Sequence, residues 1–548
     1  MNLFSNQTPL SVLLTSRATR NAFATINSVL VVSISLILSG CGASGNGSQL
    51  ENLVGPPTTS TSKTSWKSGE YKPQSDYANK CEKPRSGIDP GTDKPFLDTK
   101  GSLLDEKNFL RSWSNDTYLW YKEIVDVDPS KTADPLDYFD LLKTNAKTAS
   151  GNNKDNFHFT YDSAVWYDLS ESGVSAGYGM ELSWINGTAP NRNVVVAYTE
   201  PGSPAAEKNV RRGAKIIKVD GYDFVNGNTQ EIVDKLNAGL FPKNLNEVHT
   251  FVIQNVGEDI TEEVILTSGS ITKTPVQNVK VIDTPTGKVG YFVFNDHIRT
   301  AERGLYDAIN QLSTQGITDL VLDVRYNGGG YLYIASELSY MIAGSATEGK
   351  FFEKITFNDK HTTKGLFGET LEATPFYDGS EDLGAFPKLN LKRVFVITTG
   401  DTCSASESII NGLRGVDVEV IQIGSKTCGK PYGFYAQDNC GTTYFTIQFK
   451  GENSKGFGDY SDGFIPSAAD NGKDLIKGCF VNDDLTHQLG DEAENNLATA
   501  LTYIETGSCP SPIISSDSKL QKTSAPDELS NVSGTLNKPA GLTNRIMK

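Results

Sequence analysis

The chain has 548 residues, of which 37% are hydrophobic and 21% charged, a composition typical of soluble globular proteins and long enough for two to four domains. Its 66 acidic and 50 basic residues give a formal net charge of −16, and no basic run occurs along the sequence. Because phosphate binding needs clustered Lys and Arg, this balance argues against nucleic acid as the main partner.

The first segment of the chain has the pattern of a secretory signal. Arg17 and Arg20 precede an uncharged apolar stretch, 28–38, that is too short to span a bilayer as a mature helix. The stretch ends in Leu-Ser-Gly-Cys at Cys41, which resembles the bacterial lipoprotein processing box. We therefore predict a lipoprotein signal peptide over 1–40 and lipidation of Cys41, with a plain signal peptide as the alternative.

These features predict where the protein is found. Cleavage before Cys41 would leave an exported lipoprotein, anchored to the membrane by its lipid and facing the periplasm or the cell surface. Gly42 rather than Asp follows the cysteine, a pattern that favours the outer membrane in Gram-negative lipoproteins. Residues 41–95, which are rich in Ser, Thr, Gly, Pro and Lys, have the composition of a flexible linker.

Cysteine usage favours disulfides over a metal site. Six cysteines follow Cys41, and an even number in an exported chain indicates disulfide pairing, although six cysteines allow fifteen pairings. The sequence has no CxxC and no Cys/His cluster with metal-ligand spacing. We therefore expect no metal site.

Two smaller regions follow the linker. Over 103–124, aromatic and aliphatic residues recur at three- and four-residue spacing, which predicts a small helical region across 96–170 with Trp113 and Trp120 as core residues. Over 171–275 the sequence changes to short runs of β-forming residues separated by turns, which predicts a β domain.

The second of these regions resembles a PDZ domain. Its "GSPAA" turn and "RRGAKIIKVDG" strand-turn fit that family, whereas Ala214 stands where PDZ domains usually have an acidic residue. The resemblance places Gly177, Tyr178, Gly179 and Met180 in the loop that would bind a peptide's terminal carboxylate through backbone N–H groups. It implies polypeptide partners with free C-termini, and a PDZ-shaped spacer that binds nothing is the alternative.

From 276 to 510, predicted strands and helices alternate, which is typical of an α/β layer with parallel strands. The fold class expected for the whole chain is therefore multidomain α+β, with a helical region, a PDZ-like β domain and an α/β core in that order. Residues 511–548 are polar and are predicted to form a disordered tail.

Functional groups of open α/β sheets collect at the carboxyl ends of strands, and here two such ends carry a serine and a lysine. Ser404 follows the predicted strand 394–397, and Lys430 follows the strand near 418–423. A right-handed crossover would bring the two loops side by side, although 26 residues separate these side chains in sequence. A buried, neutral lysine can take the proton of a serine hydroxyl, as in Ser–Lys hydrolases.

A third strand-end loop, 327–330, carries three consecutive glycines whose backbone N–H groups can face a developing oxyanion. The N–H of Ala405, at a predicted helix start, is the natural second donor. Each feature alone has a plainer interpretation: Ser404 and Glu407 also match a capping box, a triple glycine is usually a turn, and a loop lysine is usually solvated. The occurrence of all three features, in order and at strand ends, favours catalysis.

Three motifs in this order, "VLDVRYNGGG", "TCSASES" and "GSKTCGKP", make the resemblance more specific. Behind a PDZ-like region they resemble the carboxyl-terminal processing proteases, the S41 serine peptidases. The likeness covers roughly 170–505 and implies a ClpP/crotonase-like α/β core over 276–510. It also implies hydrolysis of polypeptides without a cofactor.

The resemblance assigns roles residue by residue. Ser404, first in the S-A-S-E turn, matches the nucleophile, and Lys430 matches the general base. The oxyanion hole would be formed by the backbone N–H groups of Ala405 and Gly329, with Gly328 as the fallback for the second donor. The implied reaction is acyl transfer to the serine followed by hydrolysis.

Several positions leave alternatives open. Many family members have a glutamine four residues after the lysine, where this chain has Phe434, so Gln437 or Gln448 is the candidate substitute. Cys403 and Cys428 each lie within two residues of a predicted catalytic residue, and we predict a disulfide between them.

Ser406 and Lys426 are nearby residues of the same types that could take the two catalytic roles instead. The order of residues within the motifs disfavours both. Two other functions remain open at this stage. One is a catalytically silent lipoprotein that binds peptides through its PDZ-like region, and the other is a hydrolase of non-protein esters or amides.

Overall fold

The computed structural model describes residues 66–148, 150–510 and 545–547. The predicted signal peptide, the lipidation site at Cys41, residues 41–65 of the predicted linker and most of the predicted tail lie outside the described residues. The rest of the predicted linker, 66–95, is not a flexible segment: it forms a short helix, Gln74–Asp76, and short strands such as Lys80–Cys81. Among the helices that are described, none is long and apolar enough to cross a membrane.

The first region is helical and packs around aromatic rings. Ser102 begins its main helix, because the side chain accepts a hydrogen bond from the Asp105 N–H and so caps the N-terminus. Trp113 stacks on Phe109 and Phe139 in a small core, as predicted, whereas Trp120 is half-buried against the ring of Tyr432. The main elements are α1 (Leu103–Thr117), α2 (Pro135–Phe139), β1 (Phe159–Asp162) and α3 (Ser163–Tyr167).

The second region is a twisted antiparallel sheet closed by a helix. Apolar side chains of the strands and of the helix Gln230–Leu240 form their own core, separate from that of the α/β region. The PDZ resemblance of this region stays a prediction. Its elements are β2 (Val174–Gly177), β3 (Met180–Asn186), β4 (Asn193–Thr199), α4 (Pro204–Glu207), β5 (Lys215–Val219), β6 (Tyr222–Asp223), α5 (Gln230–Leu240), β7 (Val248–Gln254), β8 (Glu262–Thr267) and β9 (Gly269–Thr272).

The strand order of this sheet is β8-β7-β5-β4-β3, with β6 paired to β5. Strand β3 is therefore an edge strand, whose main chain can pair with a further strand. The short strands β2 and β9 pair with each other and join the region to the α/β core.

The third region is the α/β core, and its strand and helix runs alternate as the sequence predicts. The centre of the buried strand Arg393–Thr398, Val-Phe-Val-Ile, is a continuous apolar run, because helices cover both faces of a parallel sheet. The elements are β10 (Val276–Thr284), β11 (Gly287–Phe294), α6 (Ala301–Gln315), β12 (Asp319–Asp323), β13 (Gly330–Tyr331), α7 (Leu332–Ala343), β14 (Phe351–Thr356), β15 (Thr374–Pro375), β16 (Arg393–Thr398), α8 (Ala405–Gly415), β17 (Glu419–Gly424), β18 (Tyr432–Tyr435), β19 (Gln437–Asn439), β20 (Thr442–Phe445), β21 (Phe449–Glu452), β22 (Ile465–Ser467), β23 (Leu475–Phe480), α9 (Asn495–Thr506) and β24 (Arg545–Met547).

The main sheet of the core has the order β10-β11-β12-β16-β17-β23-β22, and all neighbours except β10 and β11 are parallel. Strands β12, β16 and β17 are adjacent, so their carboxyl ends meet at one edge of the sheet. These are the three strand ends that carry the glycine loop, Ser404 and Lys430. The parallel topology thus gathers the predicted catalytic groups.

A second sheet of the core has the order β13-β24-β18-β21-β14-β15. Its strand β24 belongs to the tail and lies parallel to both β13 and β18. The polar composition of the tail does not predict this strand, because strand pairing uses main-chain groups that leave no signature in the sequence.

Three disulfides tie the chain together: Cys81–Cys440, Cys403–Cys428 and Cys479–Cys509. The first joins Cys81, within the predicted linker, to the core next to β20, which pairs with β1 of the helical region. The second is the pairing predicted from the positions of Cys403 and Cys428 beside the two candidate catalytic residues.

Candidate active site

Ser404 lies at the tight turn between β16 and α8. Its backbone has φ 60° and ψ −114°, a conformation that a non-glycine residue rarely adopts and that persists only where the surroundings fix it. The side chain is fully buried, and its Oγ has no hydrogen-bond partner among the described residues. Ser404 and Glu407 are arranged as a capping box, which was the plainer interpretation of this serine, but the Oγ makes no hydrogen bond of normal geometry to the helix.

Glu407 joins the serine loop to the lysine loop. Its Oε2 accepts hydrogen bonds from the Ser404 N–H at 2.9 Å and the Lys430 N–H at 2.8 Å. Its Oε1 accepts from the Gly429 N–H at 2.8 Å and from the Thr427 hydroxyl at 2.5 Å. One buried carboxylate thus fixes both loops, and the bond from the Ser404 N–H is its part of the capping box.

Burial raises the pKa of Glu407, while the Thr427 hydroxyl and the backbone N–H groups it accepts act in the opposite direction. A buried carboxyl that accepts several backbone N–H bonds is held in one position by them. Glu407 therefore sets the separation of the two loops and does not need to contact a substrate.

The Cys403–Cys428 disulfide is a second tie between the same loops, with the two Cα atoms 5.2 Å apart. The Cys428 N–H also donates to the carbonyl of Thr402 at 3.0 Å. Cys403, Cys428 and Glu407 form a group of potential metal ligands within the described residues, but the two sulfurs are bonded to each other. This group therefore offers no thiolate to a metal.

Lys430 is fully buried between two aromatic rings. Its Nζ lies 4.4 Å from the ring centroid of Phe434 and 4.7 Å from that of Phe157. Phe434 occupies the position where the family pattern has glutamine, and Phe157 comes from the helical region. Aromatic rings therefore flank this amine on two sides.

The two glutamines proposed as substitutes make other contacts. Gln448 accepts from the Tyr435 N–H at 2.7 Å and donates to the Thr117 hydroxyl at 3.1 Å. Gln437 donates to the carbonyl of Asp438 at 2.9 Å. The aromatic residue Phe434 thus flanks the lysine where a glutamine side chain would otherwise lie.

Asn327 connects the glycine loop to the serine loop. Its carbonyl accepts from the Cys403 N–H at 3.1 Å and from the Ser406 hydroxyl at 3.0 Å. Its side-chain Oδ1 accepts from the Gly329 N–H at 2.9 Å and lies 2.9 Å from His297 Nδ1. The competing serine, Ser406, therefore has a structural hydrogen bond, and the Gly329 N–H faces its own loop.

The remaining donors of the predicted oxyanion hole are differently placed. Ala405 is the first residue of α8, and the first N–H groups of a helix lack intrahelical acceptors. The Gly328 N–H donates to no acceptor among the residues that the structure describes. Burial lowers the pKa of His297 to about 3, so this imidazole beside the glycine loop is neutral at physiological pH.

A buried ion-pair cluster includes the residues that directly precede the glycine loop. Arg325, fully buried, donates to Asp323 at 2.9 Å and to both carboxylate oxygens of Glu494 at 2.9 Å. Arg212 from the second region donates to Asp483 at 2.8 Å and to the hydroxyl of Tyr326. The second region is thereby attached next to the loop that begins at β12.

The predicted carboxylate-binding loop lies between β2 and β3, away from these strand ends. Tyr178 is buried, and its hydroxyl donates to the Gly239 carbonyl at the end of α5 at 2.9 Å. Gly179 has φ 73°, and a Cβ there would meet the Ser203 side chain at 2.2 Å, so only glycine fits. Gly177 and Met180 complete the loop beside the edge strand β3.

Sequence reasoning did not single out Phe157 or His297, and it considered Glu407 only as a capping partner. Phe157 lies outside the core in sequence, and no pattern in its segment points to the lysine. The role of Glu407 can be recognised only from the groups that donate hydrogen bonds to it, three of which come from the loop 427–430.

Comparison with known proteins shows which protein family the α/β core matches. Residues 288–433 match the sequence model described as "Peptidase family S41". A carboxyl-terminal-processing protease from Picosynechococcus is 26% identical over 262 residues, which cover 48% of this chain and 56% of that protein. The carboxy-terminal processing protease CtpA of Bacillus subtilis is 23% identical over 339 residues, covering 61% and 64% of the two chains.

A crystal structure from Bacteroides fragilis, described as an S41 protease, superposes with a TM-score of 0.54 at 24% identity and covers 73% of this chain and 97% of its own. This likeness bears on the fold alone. The chain spans less than two thirds of the length of either curated relative. The three strand-end loops that hold the glycines, Ser404 and Lys430 nevertheless lie within the matched segment, and residues 288–433 constitute a peptidase family S41 domain.

Proposed function

We propose that this protein is a serine endopeptidase that hydrolyses exported polypeptides with Ser404 and Lys430 as a catalytic dyad. The observation that carries the proposal is the double tie between their loops, through Glu407 and through Cys403–Cys428. It is supported by a serine hydroxyl that is buried, strained and without a hydrogen-bond partner in the described structure. Export and anchoring through a lipid on Cys41 are part of the proposal and rest on the sequence.

The reaction begins when neutral Lys430 takes the proton of the Ser404 hydroxyl. The Oγ attacks the scissile carbonyl carbon, and the carbonyl oxygen becomes an oxyanion. The protonated lysine then gives its proton to the leaving amine as the C–N bond breaks, which leaves an acyl-enzyme on Ser404. Water, deprotonated by the same lysine, attacks the ester and releases the new carboxyl terminus.

The oxyanion needs two N–H donors. One is the Ala405 N–H at the positive end of the α8 dipole. The second was assigned to Gly329, whose N–H now donates to Asn327, so either that bond opens on substrate binding or the neighbouring Gly328 N–H takes the role. Gly328 and Gly329 both belong to the loop that continues into β13.

The PDZ-like region would select substrates. Its edge strand β3 and helix α5 flank the loop of Gly177 to Met180, an arrangement that suits a peptide added as a strand with its terminal carboxylate at the loop. We propose that it binds free C-termini of unfolded polypeptides.

Casein cleavage tests the proposal with matched variants. Ser404→Ala and Lys430→Ala should each lower turnover by about 10³-fold or more, since either removes half of the dyad. Ser406→Ala and the exposed Lys426→Ala change the same residue types nearby and should retain most activity. Equal activity in all four variants, or loss in Ser406→Ala with retention in Ser404→Ala, would contradict the assignment.

If the wild type binds C-terminal peptides but cleaves no protein substrate, the catalytically silent alternative is correct. A substrate panel of esters and amides separates the third possibility, because a peptidase with a PDZ-like region should prefer peptides with a free C-terminus.

A further inference from the structure

The tail segment β24 (Arg545–Met547) lies between two strands that continue directly from the candidate active site. On one side is β13, whose first residue follows Gly329 in the glycine loop, and on the other is β18, which begins two residues after Lys430. The segment therefore crosses the space between the glycine loop and the lysine loop.

The pairing is specific on both sides. Ile546 is in register with Tyr331 of β13 and with Phe434 of β18, and both pairings are parallel. Strands of a sheet lie about 4.8 Å apart, so β13 and β18 are separated by the width of one inserted strand. In the strand order, the tail segment is the element that connects them.

A slot one strand wide, bordered by the predicted oxyanion loop and the predicted base, has the shape of a site for an extended polypeptide. Strand addition gives affinity through main-chain hydrogen bonds, which are largely independent of side chains. Such a slot would therefore accept many sequences, including a segment of the same chain.

From these contacts we infer that residues 545–547 occupy the substrate-strand site in cis and compete with substrate polypeptides. The inference rests on the proposed function and adds the path of the substrate: a bound chain runs parallel to β13 and β18. Residues 511–544 connect the segment to the end of the α/β core. A chain of this length is long enough for the segment to reach the site between β13 and β18.

Tethering makes the competition effective even for a weak segment. A flexible linker gives an effective concentration on the order of 1 mM, so a segment that binds with a Kd of about 0.1 mM would occupy the slot about 90% of the time. Competition of this kind raises the apparent KM about tenfold and leaves kcat unchanged.

The test compares two proline variants of the full chain. Ile546→Pro removes an N–H and fixes φ at the residue paired on both sides, so the strand should no longer form. Ser533→Pro makes the same change elsewhere in the tail and is the matched control. With casein as substrate, Ile546→Pro should lower KM by about tenfold with kcat unchanged, whereas Ser533→Pro should behave as wild type.

A peptide supplies the segment in trans. The peptide AGLTNRIMK, which corresponds to residues 540–548 and is capped at both ends, should inhibit Ile546→Pro competitively, and the same peptide with proline in place of isoleucine should not. Intact mass spectrometry before each assay verifies that the tail is present. Equal KM values in wild type and both variants, with no inhibition by the peptide, would overturn the inference while leaving the proposed function intact.

Failure of the proposed function is recognised separately, because it would appear as absence of cleavage in every variant. The slot is then tested by fluorescence anisotropy with labelled peptide and the double variant Ser404→Ala/Ile546→Pro. Saturable binding of AGLTNRIMK, but not of its proline analogue, supports the cis-occupied site, and equal or absent binding of the two peptides rejects it.

Discussion

Helices α7 and α8 occupy matching places in the core, and a glutamate in each shows how differently a buried carboxyl can behave. Each helix follows a strand-end loop that carries site atoms, and the two helices pack against each other. Both Glu337 in α7 and Glu407 in α8 are buried, and burial raises the pKa of each carboxyl. Glu407 accepts four hydrogen bonds from two loops, whereas Oε2 of Glu337 has no partner among the described residues.

The difference indicates that burial and a shifted pKa do not by themselves mark a functional carboxyl. A functional carboxyl is marked instead by the hydrogen-bond donors around it. The donors to Glu407 include the backbone N–H groups of both predicted catalytic residues. Glu337 has no comparable contact with the site, so its burial should lower the stability of the fold without serving the reaction. Substitutions of the two residues can therefore be compared directly.

Among the substitutions that test this comparison, Glu407→Gln is expected to have the largest effect on activity. The amide NH₂ would replace one acceptor oxygen and face two donor groups, so the serine and lysine loops should separate or rotate. A displacement of about 1 Å at a reacting group can cost about 10²-fold in rate, and we expect a loss in kcat of that size. The rate at which a fluorophosphonate labels Ser404 should fall in parallel, which measures the serine directly.

The matched control is Glu337→Gln, the same change in the neighbouring helix, which should leave kcat within twofold of wild type. If Glu407→Gln retained full labelling and turnover, the carboxylate would not be a positioning residue and the comparison of the two helices would fail.

The contrast also shows what could be predicted from sequence. Alternating strands and helices place Ser404, Lys430 and the glycine loop at strand ends, and a parallel sheet then brings those ends to one edge. The role of Glu407 could not be predicted, because its S-x-x-E pattern has a complete local explanation while three of its donors come from a distant loop.

Other features leave no signal in the sequence for a different reason. Phe157 reaches the lysine only because the helical region packs on the core, a contact between regions that local patterns do not encode. The strand Arg545–Met547 pairs through its main chain, and its few residues are too short a run to stand out in a polar tail. Tertiary contacts therefore supply what local patterns cannot.

The disulfides give a second, smaller test of the serine and lysine loops. Replacing both cysteines of Cys403–Cys428 by serine removes one tie, while Glu407 and the bond from Cys428 N–H to Thr402 remain. We therefore expect kcat/KM to fall by roughly fivefold, less than for Glu407→Gln, with stability lower by about 3 kcal/mol.

Cys479–Cys509 is the matched control, because it closes a loop of 30 residues against 25 for Cys403–Cys428. Since the loop lengths are similar, the loss of stability on replacing either pair should be similar. Only the pair beside the site should lower kcat/KM. Equal losses of activity in the two double variants would show that the effect is one of stability and not of position.

The smallest effect on activity, and an informative effect on stability, is expected for Glu337→Gln. Burial, followed by the nearby Glu302, raises the pKa of Glu337 to about 9 from the reference value of 4.5. The folded state therefore holds a proton that the unfolded state releases, so the contribution of this residue to stability falls as pH rises from about 4.5 to about 9. At pH 7 the cost is about 3 kcal/mol.

Glutamine cannot ionise and has nearly the shape of the protonated carboxyl. The thermal unfolding midpoint of Glu337→Gln should thus match that of wild type near pH 4.5 and exceed it by several degrees at pH 8, while the exposed Glu348→Gln should follow wild type throughout. A constant difference between Glu337→Gln and wild type across this range would mean that Glu337 is ionised in the folded protein. Its carboxylate would then need donors of its own, and the distinction from Glu407 would no longer hold.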